Sequence, residues 1–268
     1  MASRQPPANP GLGRLALEQR IFYEFGAFAA ASPLLRAVGR GDRHPVLVLP
    51  GFAASDRSTA PLRGIIRSQG YWVHGWRLGR NIGPTPEVVA GLVERLQTVS
   101  ERHDAKVSLI GWSLGGIYAR AMGRMFPESV REVITLGSPY RLRDARTTPV
   151  ARMYRRYERL HAVPLREAAA MPPEEELPAL AMPSTSIYTR TDGIVHWSAC
   201  IDEEGPHREN IEVRSSHVGL GVNPAAILAI SDRLARPEGE WKPFTPNALV
   251  RRMYPTPVWW TPREDEVA

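Results

Sequence analysis

A serine framed by two glycines is the stretch of this sequence that most clearly suggests chemistry. The residues are Gly111, Ser113 and Gly115, in the segment LIGWSLGG. A serine hydroxyl is a weak nucleophile until a nearby base takes its proton and N–H donors stabilise the oxyanion that forms. Glycines allow a sharp turn between a strand and a helix, which presents the serine above the edge of a sheet. The pattern therefore favours Ser113 as a nucleophile over a serine that only occupies a tight turn.

The base for Ser113 should be one of four histidines that follow it in the chain: His161, His196, His207 and His217. His217 lies between the last predicted strand and the last predicted helix, in a loop where a base could meet the serine. His196 is the second choice, because it follows the loop of the candidate acid. His161 lies in a charged segment and His207 in a polar loop, where a solvated histidine is the default. We therefore predict His217 as the base.

An orienting carboxylate is expected between the serine and the histidine. Asp192 ends a predicted strand and enters a turn with Gly193, which places it at the edge where Ser113 should lie. Asp-Gly is also an ordinary turn signal, so Asp192 has a purely structural interpretation as well. The alternatives in a nearby polar loop are Asp202, Glu203 and Glu204. Its position at the strand end makes Asp192 the predicted acid.

Two backbone N–H groups are needed to hold the oxyanion. Leu114 follows the serine and opens a predicted helix, so its N–H is one candidate. The segment VLVLPGFAASD (46–56) supplies the other, from Phe52 or Ala53, with Phe52 preferred. Trp112 and Phe52 flank the reacting centre in sequence and could form apolar walls for an acyl group or simply pack in the core. The residues expected to contact substrate are Trp112, Ala53, Trp197 and Val218.

Strands and helices alternate along the chain, which predicts a mostly parallel sheet with helices on both faces. The predicted strands are 44–52, 71–79, 106–113, 131–139 and the first parts of 184–195 and 210–220. The predicted helices are 15–39, 60–71, 85–104, 114–127 and 223–235. Residues 140–183 are charged and carry prolines, and they interrupt the alternation as a lid-like insertion. Residues 15–240 should form one domain, with a disordered segment at 1–14 and a tail at 241–268 that packs on the surface.

Composition narrows the class of protein. The chain has 268 residues, of which 43% are hydrophobic, and no apolar run approaches the length of a membrane span. We expect no secretory signal, and the single cysteine, Cys200, fits a reducing cytoplasm. The histidines lack metal-ligand spacing, so neither a metal nor another cofactor is expected.

The net charge of +6 would suit a nucleic acid or an anionic membrane as partner. No nucleic-acid recognition motif accompanies the charge, much of which lies in residues 140–160, so nucleic-acid binding is disfavoured. Peripheral membrane contact stays open for the charged segment ARMYRRYERL (151–160). Residues 15–39 are expected to pack on the domain, with a helix lying on a membrane as the alternative.

Three segments resemble α/β-hydrolases of the lipase/esterase type, in particular bacterial triacylglycerol lipases and related esterases. They are VLVLPGF, LIGWSLGG, and TDGIVHWSACID with SSHVGLGVNP, which together span residues 46 to about 235. The resemblance implies an α/β-hydrolase fold, with Ser113 as nucleophile, His217 as base, Asp192 as orienting acid and the Phe52 and Leu114 amides as oxyanion hole. The chain departs from many relatives in having Pro50-Gly51 where they have His-Gly.

The leading functional prediction is a hydrolase of carboxylic esters with an apolar acyl group, acting on a small-molecule or lipid ester. An acyltransferase or thioesterase would use the same three side chains, because the acceptor decides between them. A catalytically silent hydrolase fold that serves as a binding protein is the alternative outside enzymes. It would lack one of the three residues, and all three are present.

Overall fold

Six strands, most of them buried, form one wholly parallel sheet in the described part of the chain. The computed structural model describes residues 12–38, 41–142, 148–161 and 172–261. The strand order across the sheet is β2-β1-β3-β4-β5-β6. The strands are β1 (Pro45–Leu49), β2 (Trp72–Gly75), β3 (Val107–Trp112), β4 (Val130–Leu136), β5 (Ser184–Tyr188) and β6 (Arg208–Glu212).

Helices cover both faces of the sheet, as the alternating pattern predicts. They are α1 (Leu12–Ala16), α2 (Ile21–Ala37), α3 (Asp56–Ser68), α4 (Pro86–His103), α5 (Leu114–Met125), α6 (Ala151–Tyr157) and α7 (Pro224–Leu234). The predicted fold class is therefore confirmed. Side chains of β1 show why the strand is apolar throughout: Val46 and Val48 join the core with α2, α3 and α7, whereas Leu47 and Leu49 join the core with α4 and α5.

The order of the strands opens a crevice above β1 and β3. The chain runs from β1 outward to β2, then returns past β1 to β3 and continues in the other direction. Connections that leave in opposite directions separate the loops at the carboxyl ends of the two central strands, and ligands of such sheets bind there. Phe52 follows β1 and Ser113 follows β3, so both stand at this crevice.

The first helix differs from its prediction in where it starts and in its continuity. It begins at Leu12, inside the segment expected to be disordered, and residues 1–11 of that segment lie outside the described residues. A 3-10 turn, Leu17–Arg20, separates α1 from α2. The predicted single helix 15–39 is therefore two α-helices with a tighter turn between them. None of the helices in the described ranges is long and apolar enough to span a bilayer.

The charged insertion lies between β4 and β5, and only parts of it are described. Residues 148–161 contain α6 and the 3-10 turn Glu158–Leu160, and a second 3-10 turn, Glu174–Glu176, precedes β5. Residues 143–147 and 162–171 lie outside the described residues. The tail runs against the domain, where Tyr254 Oη donates to the Ala225 carbonyl and the Trp260 N–H donates to the Asp202 carbonyl. Residues 262–268 of the predicted tail are also outside the described part.

Candidate active site

Ser113 has a backbone conformation that non-glycine residues rarely adopt. Its φ is 52° and its ψ is −119°, between the end of β3 and the first residue of α5. The Ser113 N–H donates to the Leu136 carbonyl at the end of β4 (2.8 Å), which fixes the turn to the sheet. Positive φ at a non-glycine residue costs free energy and persists only where the surroundings impose it. The strain indicates a turn that holds the serine side chain away from the sheet.

The glycines around Ser113 allow backbone segments to approach closely. A Cβ added to Gly111 would lie 2.3 Å from Gly116 Cα, and one added to Gly115 would lie 2.4 Å from the Leu49 carbonyl oxygen. Any larger residue would therefore push α5 away from β3 or from β1. A Cβ at Gly51 would lie 3.2 Å from Ser113 Cβ, so the loop after β1 rests directly against the serine.

His217 and Asp192 form a buried hydrogen-bonded pair on the loops after β6 and β5. His217 Nδ1 is 2.6 Å from Asp192 Oδ2. The other carboxylate oxygen, Asp192 Oδ1, accepts the N–H groups of Ile194 and Val195, each at 2.8 Å. The carboxylate is thus held from both sides, which fixes the ring orientation and leaves His217 Nε2 for another partner.

Several contacts place His217 beside the serine turn. The His217 carbonyl accepts a hydrogen bond from Nε1 of Trp112, the residue before Ser113, at 3.2 Å. A Cβ at Gly137 would lie 3.1 Å from His217 Nδ1, and Gly137 follows the residue that accepts the Ser113 N–H. No hydrogen bond joins Ser113 Oγ to His217 in the described part of the chain. Such bonds commonly tighten only when substrate binds.

Two opposing effects act on the pKa of His217. Burial disfavours the imidazolium and lowers the pKa, whereas the Asp192 carboxylate, by charge and by hydrogen bond, and the Glu18 carboxylate raise it. The net result is a pKa above the usual value for histidine. A raised pKa makes the ring a stronger base toward the serine hydroxyl.

The loop after β1 leaves the Phe52 N–H free and occupies that of Ala53. Ala53, which also has a positive φ of 60°, donates its N–H to the Asn81 carbonyl at 2.6 Å. Asn81 is fully buried, and its side chain donates to the Pro50 carbonyl at 2.8 Å. Among the described residues, the N–H groups of Phe52 and Leu114 have no hydrogen-bond partner. Both remain candidates for an oxyanion hole, and Ala53 does not.

The other candidate histidines make different contacts. His196 Nδ1 accepts a hydrogen bond from the Ser198 N–H and lies 2.8 Å from its hydroxyl, so it caps a 3-10 turn. His161 Nε2 donates to the Ile82 carbonyl at 2.8 Å. His207 is exposed and packs against the ring of Trp241. None of the three approaches Asp192 as His217 does.

The alternative carboxylates belong to ion pairs. Asp202 is buried between Arg120 (2.9 Å) and Arg141 (3.2 Å), and its pKa is lowered because these two charges outweigh its burial. Glu203 pairs with Arg208 at 2.5 Å, and Glu204 is exposed. No group of three or more possible metal ligands occurs within the described ranges.

The residues expected to line a substrate pocket differ in their burial and in their contacts. The Phe52 ring packs against Tyr154 and Tyr157 of α6, with centroids 5.2 and 6.3 Å away. Trp112 is mostly buried, and Val218 is 43% exposed beside His217. Trp197 instead stacks on Tyr188 in a separate cluster with Val195 and tail residues, so its recorded contacts give no support to a place in the pocket.

Glu18 and Glu24 are site neighbours that the sequence analysis missed. Glu18 accepts backbone N–H groups from the loops of Asp192 and His217, and Glu24 accepts the N–H of Ser216 at 2.7 Å. Both lie about 200 residues from the loop that carries His217, and no local pattern marks them.

A second arrangement of serine, histidine and aspartate occurs at the amino-terminal ends of β1 and β3, away from Ser113. Ser108 Oγ is 2.8 Å from His44 Nε2, and His44 Nδ1 is 2.5 Å from Asp42 Oδ1. Ser108 lies within β3, is fully buried and donates its hydroxyl to Glu132. Ser108 does not lie in a turn that would present its hydroxyl, and no substrate could reach it. Residue types and hydrogen bonds alone therefore do not identify a nucleophile.

Comparison with known proteins supports the fold. A family model described as a PGAP1-like alpha/beta domain matches residues 79–194. One of the metagenome-derived lipolytic enzymes LipS and LipT is similar with a TM-score of 0.52 and 20% identity, over 73% of this chain and 93% of that one. Aspergillus fumigatus lipase B is similar with a TM-score of 0.55 and 18% identity, over 74% and 53% of the two chains.

A third similar structure is the monoacylglycerol lipase of Paleococcus ferrophilus, with a TM-score of 0.50 and 14% identity, over 74% and 96% of the two chains. No curated protein matches the chain by sequence. Identities this low establish the fold and not the activity. The resemblance to lipase/esterase-type α/β-hydrolases is thus confirmed as a shared α/β-hydrolase fold.

Proposed function

We propose that the protein is a serine hydrolase that cleaves carboxylic esters with an apolar acyl group. The observation that carries this proposal is the strained Ser113 turn, which lies beside the buried hydrogen bond between His217 and Asp192. The similar structures include lipolytic enzymes and lipases, which supports ester hydrolysis as the general class.

The proposed reaction is acyl transfer through an acyl-enzyme. His217 Nε2 accepts the Ser113 proton while Oγ attacks the ester carbonyl carbon, and the carbonyl oxygen gains negative charge. The N–H groups of Leu114 and Phe52 hold that oxygen. His217 then gives its proton to the departing alcohol, which leaves an acyl group on Ser113. Water attacks the acyl-enzyme with His217 again as base, which releases the acid and restores the serine.

The direction of the pH dependence follows from the protonation state that His217 needs. Only the neutral ring can accept the serine proton, so kcat/KM should be low below the pKa of His217 and rise to a plateau above it. Because Asp192 raises this pKa, the rise should be centred above the usual value of 6.5.

Phe52 and the insertion support an apolar acyl group as the bound part of the substrate. Tyr154 and Tyr157 of α6 contact the Phe52 ring, so the insertion touches the residue that carries one of the two proposed oxyanion donors. His161, after α6, also contacts the loop at Ile82. An insertion in this position would act as a lid, which encloses an acyl chain and excludes water.

A lipid surface is a further setting in which this enzyme would meet esters. α2 exposes Phe22, Tyr23 and Phe25, while its one acidic residue, Glu24, faces inward to the His217 loop. The face of α6 and the turn after it expose four arginines: Arg152, Arg155, Arg156 and Arg159. Exposed aromatic groups and exposed arginines both suit the interface of an anionic membrane.

The decisive experiment is hydrolysis of p-nitrophenyl esters from acetyl to palmitoyl by the wild type and by Ser113→Ala. Removal of the nucleophile should lower kcat/KM by about 10³-fold or more, since only binding and the oxyanion hole remain. The matched control is Ser108→Ala, which removes the serine of the other arrangement and should stay within a few-fold of the wild type.

Two outcomes would contradict the proposal. One is equal activity of folded Ser113→Ala and wild type, and the other is an inactive wild type at every chain length. Transfer of the acyl group to an added alcohol or thiol in preference to water would identify an acyltransferase with the same three residues. Circular dichroism of each variant separates lost catalysis from lost folding.

A further inference from the structure

We infer that Glu18 is a positioning residue that joins the loop of Asp192 to the loop of His217. The inference rests on the proposed function, because it concerns the geometry of the proposed acid and base. Glu18 lies in the 3-10 turn between α1 and α2, far from both loops in sequence. Nothing in the reaction itself requires a second carboxylate at this place.

The hydrogen bonds of Glu18 connect the two loops through one side chain. Oε1 accepts the N–H of Gly193 at 2.8 Å and the N–H of His217 at 3.0 Å. Oε2 accepts the N–H of Val218 at 2.9 Å. Gly193 follows Asp192 directly, so a single oxygen bridges the residue after the acid and the base itself. Hydrogen bonds to a charged acceptor are stronger than those between neutral groups. The three bonds to the Glu18 carboxylate therefore restrict the motion of both loops.

Neighbouring contacts hold the helical segment in the position that Glu18 needs. Arg20 donates to Thr191 Oγ1 at 3.1 Å and to the Ser215 carbonyl at 3.0 Å, so it also touches both loops. A Cβ added to Gly193 would lie 2.4 Å from the Arg14 carbonyl oxygen. The acid loop therefore packs tightly on the backbone of α1, and Glu18 does not have to reach across solvent.

Glu18 has an electrostatic role beside its geometric one. Asp192 and Glu18 are the carboxylates that stabilise the His217 imidazolium, against the cost of burial. Glu24 accepts from Ser215 and Ser216 on the same loop, and Arg20 faces the backbone of that loop. Loss of the Glu18 charge should therefore lower the pKa of His217, whereas loss of the Glu24 charge should leave the pKa of His217 unchanged.

Three variants separate charge from geometry. Glu18→Gln removes the charge and the hydrogen bond from Val218 but keeps one oxygen, which can still bridge Gly193 and His217. Glu18→Ala removes the bridge and the charge together. Glu24→Gln is the matched control, because it changes the same kind of side chain, from the same helical segment, against the same loop.

The kinetic expectation differs for each variant. For Glu18→Gln, the acid limb of kcat/KM on p-nitrophenyl butyrate should move to lower pH, with a plateau within a few-fold of the wild type. For Glu18→Ala, kcat on the plateau should fall roughly 10- to 100-fold with little change in KM, since positioning acts on the reaction and not on binding. For Glu24→Gln, the midpoint of the acid limb of kcat/KM should stay at the wild-type pH.

An NMR titration of the His217 ring tests the inference without any need for activity. The His217 signal is assigned by its absence in His217→Asn, and its midpoint is measured in the wild type, Glu18→Gln and Glu24→Gln. A lower midpoint in Glu18→Gln alone supports the role of Glu18 even if no ester is hydrolysed, in which case only the proposed function fails. The inference would be overturned if the His217 midpoint were equal in all three proteins. It would also be overturned if both Glu18→Gln and Glu18→Ala had wild-type kinetics.

Discussion

At the scale of single residues, backbone strain distinguishes Ser113 from the buried serine Ser108. Ser108 contacts a histidine that is in turn paired with an aspartate, as a nucleophile would, yet it lies within strand β3. Ser113 has a φ of 52° in a turn closed by glycines on both sides. The strain keeps its hydroxyl at the crevice, and it should have a measurable cost in stability.

We predict that Ser113→Gly is more stable than Ser113→Ala. Glycine adopts positive φ without a clash, whereas alanine keeps the strain of serine and also loses the hydroxyl. The free energy of unfolding in urea should be about 1 kcal/mol higher for the glycine variant, after its larger chain entropy in the unfolded state is included. Equal or lower stability of Ser113→Gly would show that the turn is not strained.

The sequence predicts some residues of the site and misses others for a physical reason. Ser113, Asp192 and His217 follow strand ends in a parallel sheet, and such ends meet at one edge, so their order and spacing carry information. The side chains of Glu18 and Asn81 bind backbone groups of loops elsewhere in the chain. Any residue with a carboxylate or an amide could do so, and only the folded backbone shows which one does.

At the scale of secondary-structure elements, hydrophobic periodicity predicts the sheet and its covering helices well. Local capping accounts for several boundaries, as where Thr85 accepts the Val88 N–H and Pro86 opens α4. The first helix is less predictable. Its apolar residues continue through Leu17–Arg20, but the chain forms a 3-10 turn there, from which Glu18 and Arg20 reach the loops of Asp192 and His217. Tertiary contacts of this kind leave no trace in periodicity.

Buried ion pairs connect α5 to the insertion. Arg120 of α5 is 2.5 Å from Glu174 of the insertion and 2.9 Å from Asp202, and all three side chains are buried. Arg124 also contacts Glu174. The charges are therefore satisfied only together, which makes the pairs sensitive to the removal of one member.

We predict that Arg120→Met destabilises the protein by about 3 kcal/mol, because two buried carboxylates each lose one of their arginine partners. Arg102→Met, on the exposed side of α4, is the control and should change stability by less than about 0.5 kcal/mol. Urea unfolding followed by tryptophan fluorescence measures both. A loss of similar size in the two variants would mean that the insertion is held by other contacts.

At the scale of the whole molecule, the N-terminal helices have two faces with separate uses. The inward face carries Glu18 and Glu24, which are hydrogen-bonded to the loop of His217. The outward face carries Phe22 and Tyr23, which are 78% and 83% exposed. Exposed aromatic side chains in such a group are unusual on a protein that works alone in water. The element that would touch a membrane is therefore the one that is bonded to the proposed catalytic loops.

The last prediction is that vesicles of phosphatidylcholine with phosphatidylglycerol sediment the wild type but not a triple variant, Phe22→Ser, Tyr23→Ser and Phe25→Ser. Loss of three apolar contacts should lower the partition coefficient by about 100-fold, or about 3 kcal/mol. Met125→Ser is the control, because Met125 is 61% exposed at the far end of α5. Sedimentation of the triple variant with the vesicles, or a wild-type dimer that the triple variant cannot form, would assign this face to another use.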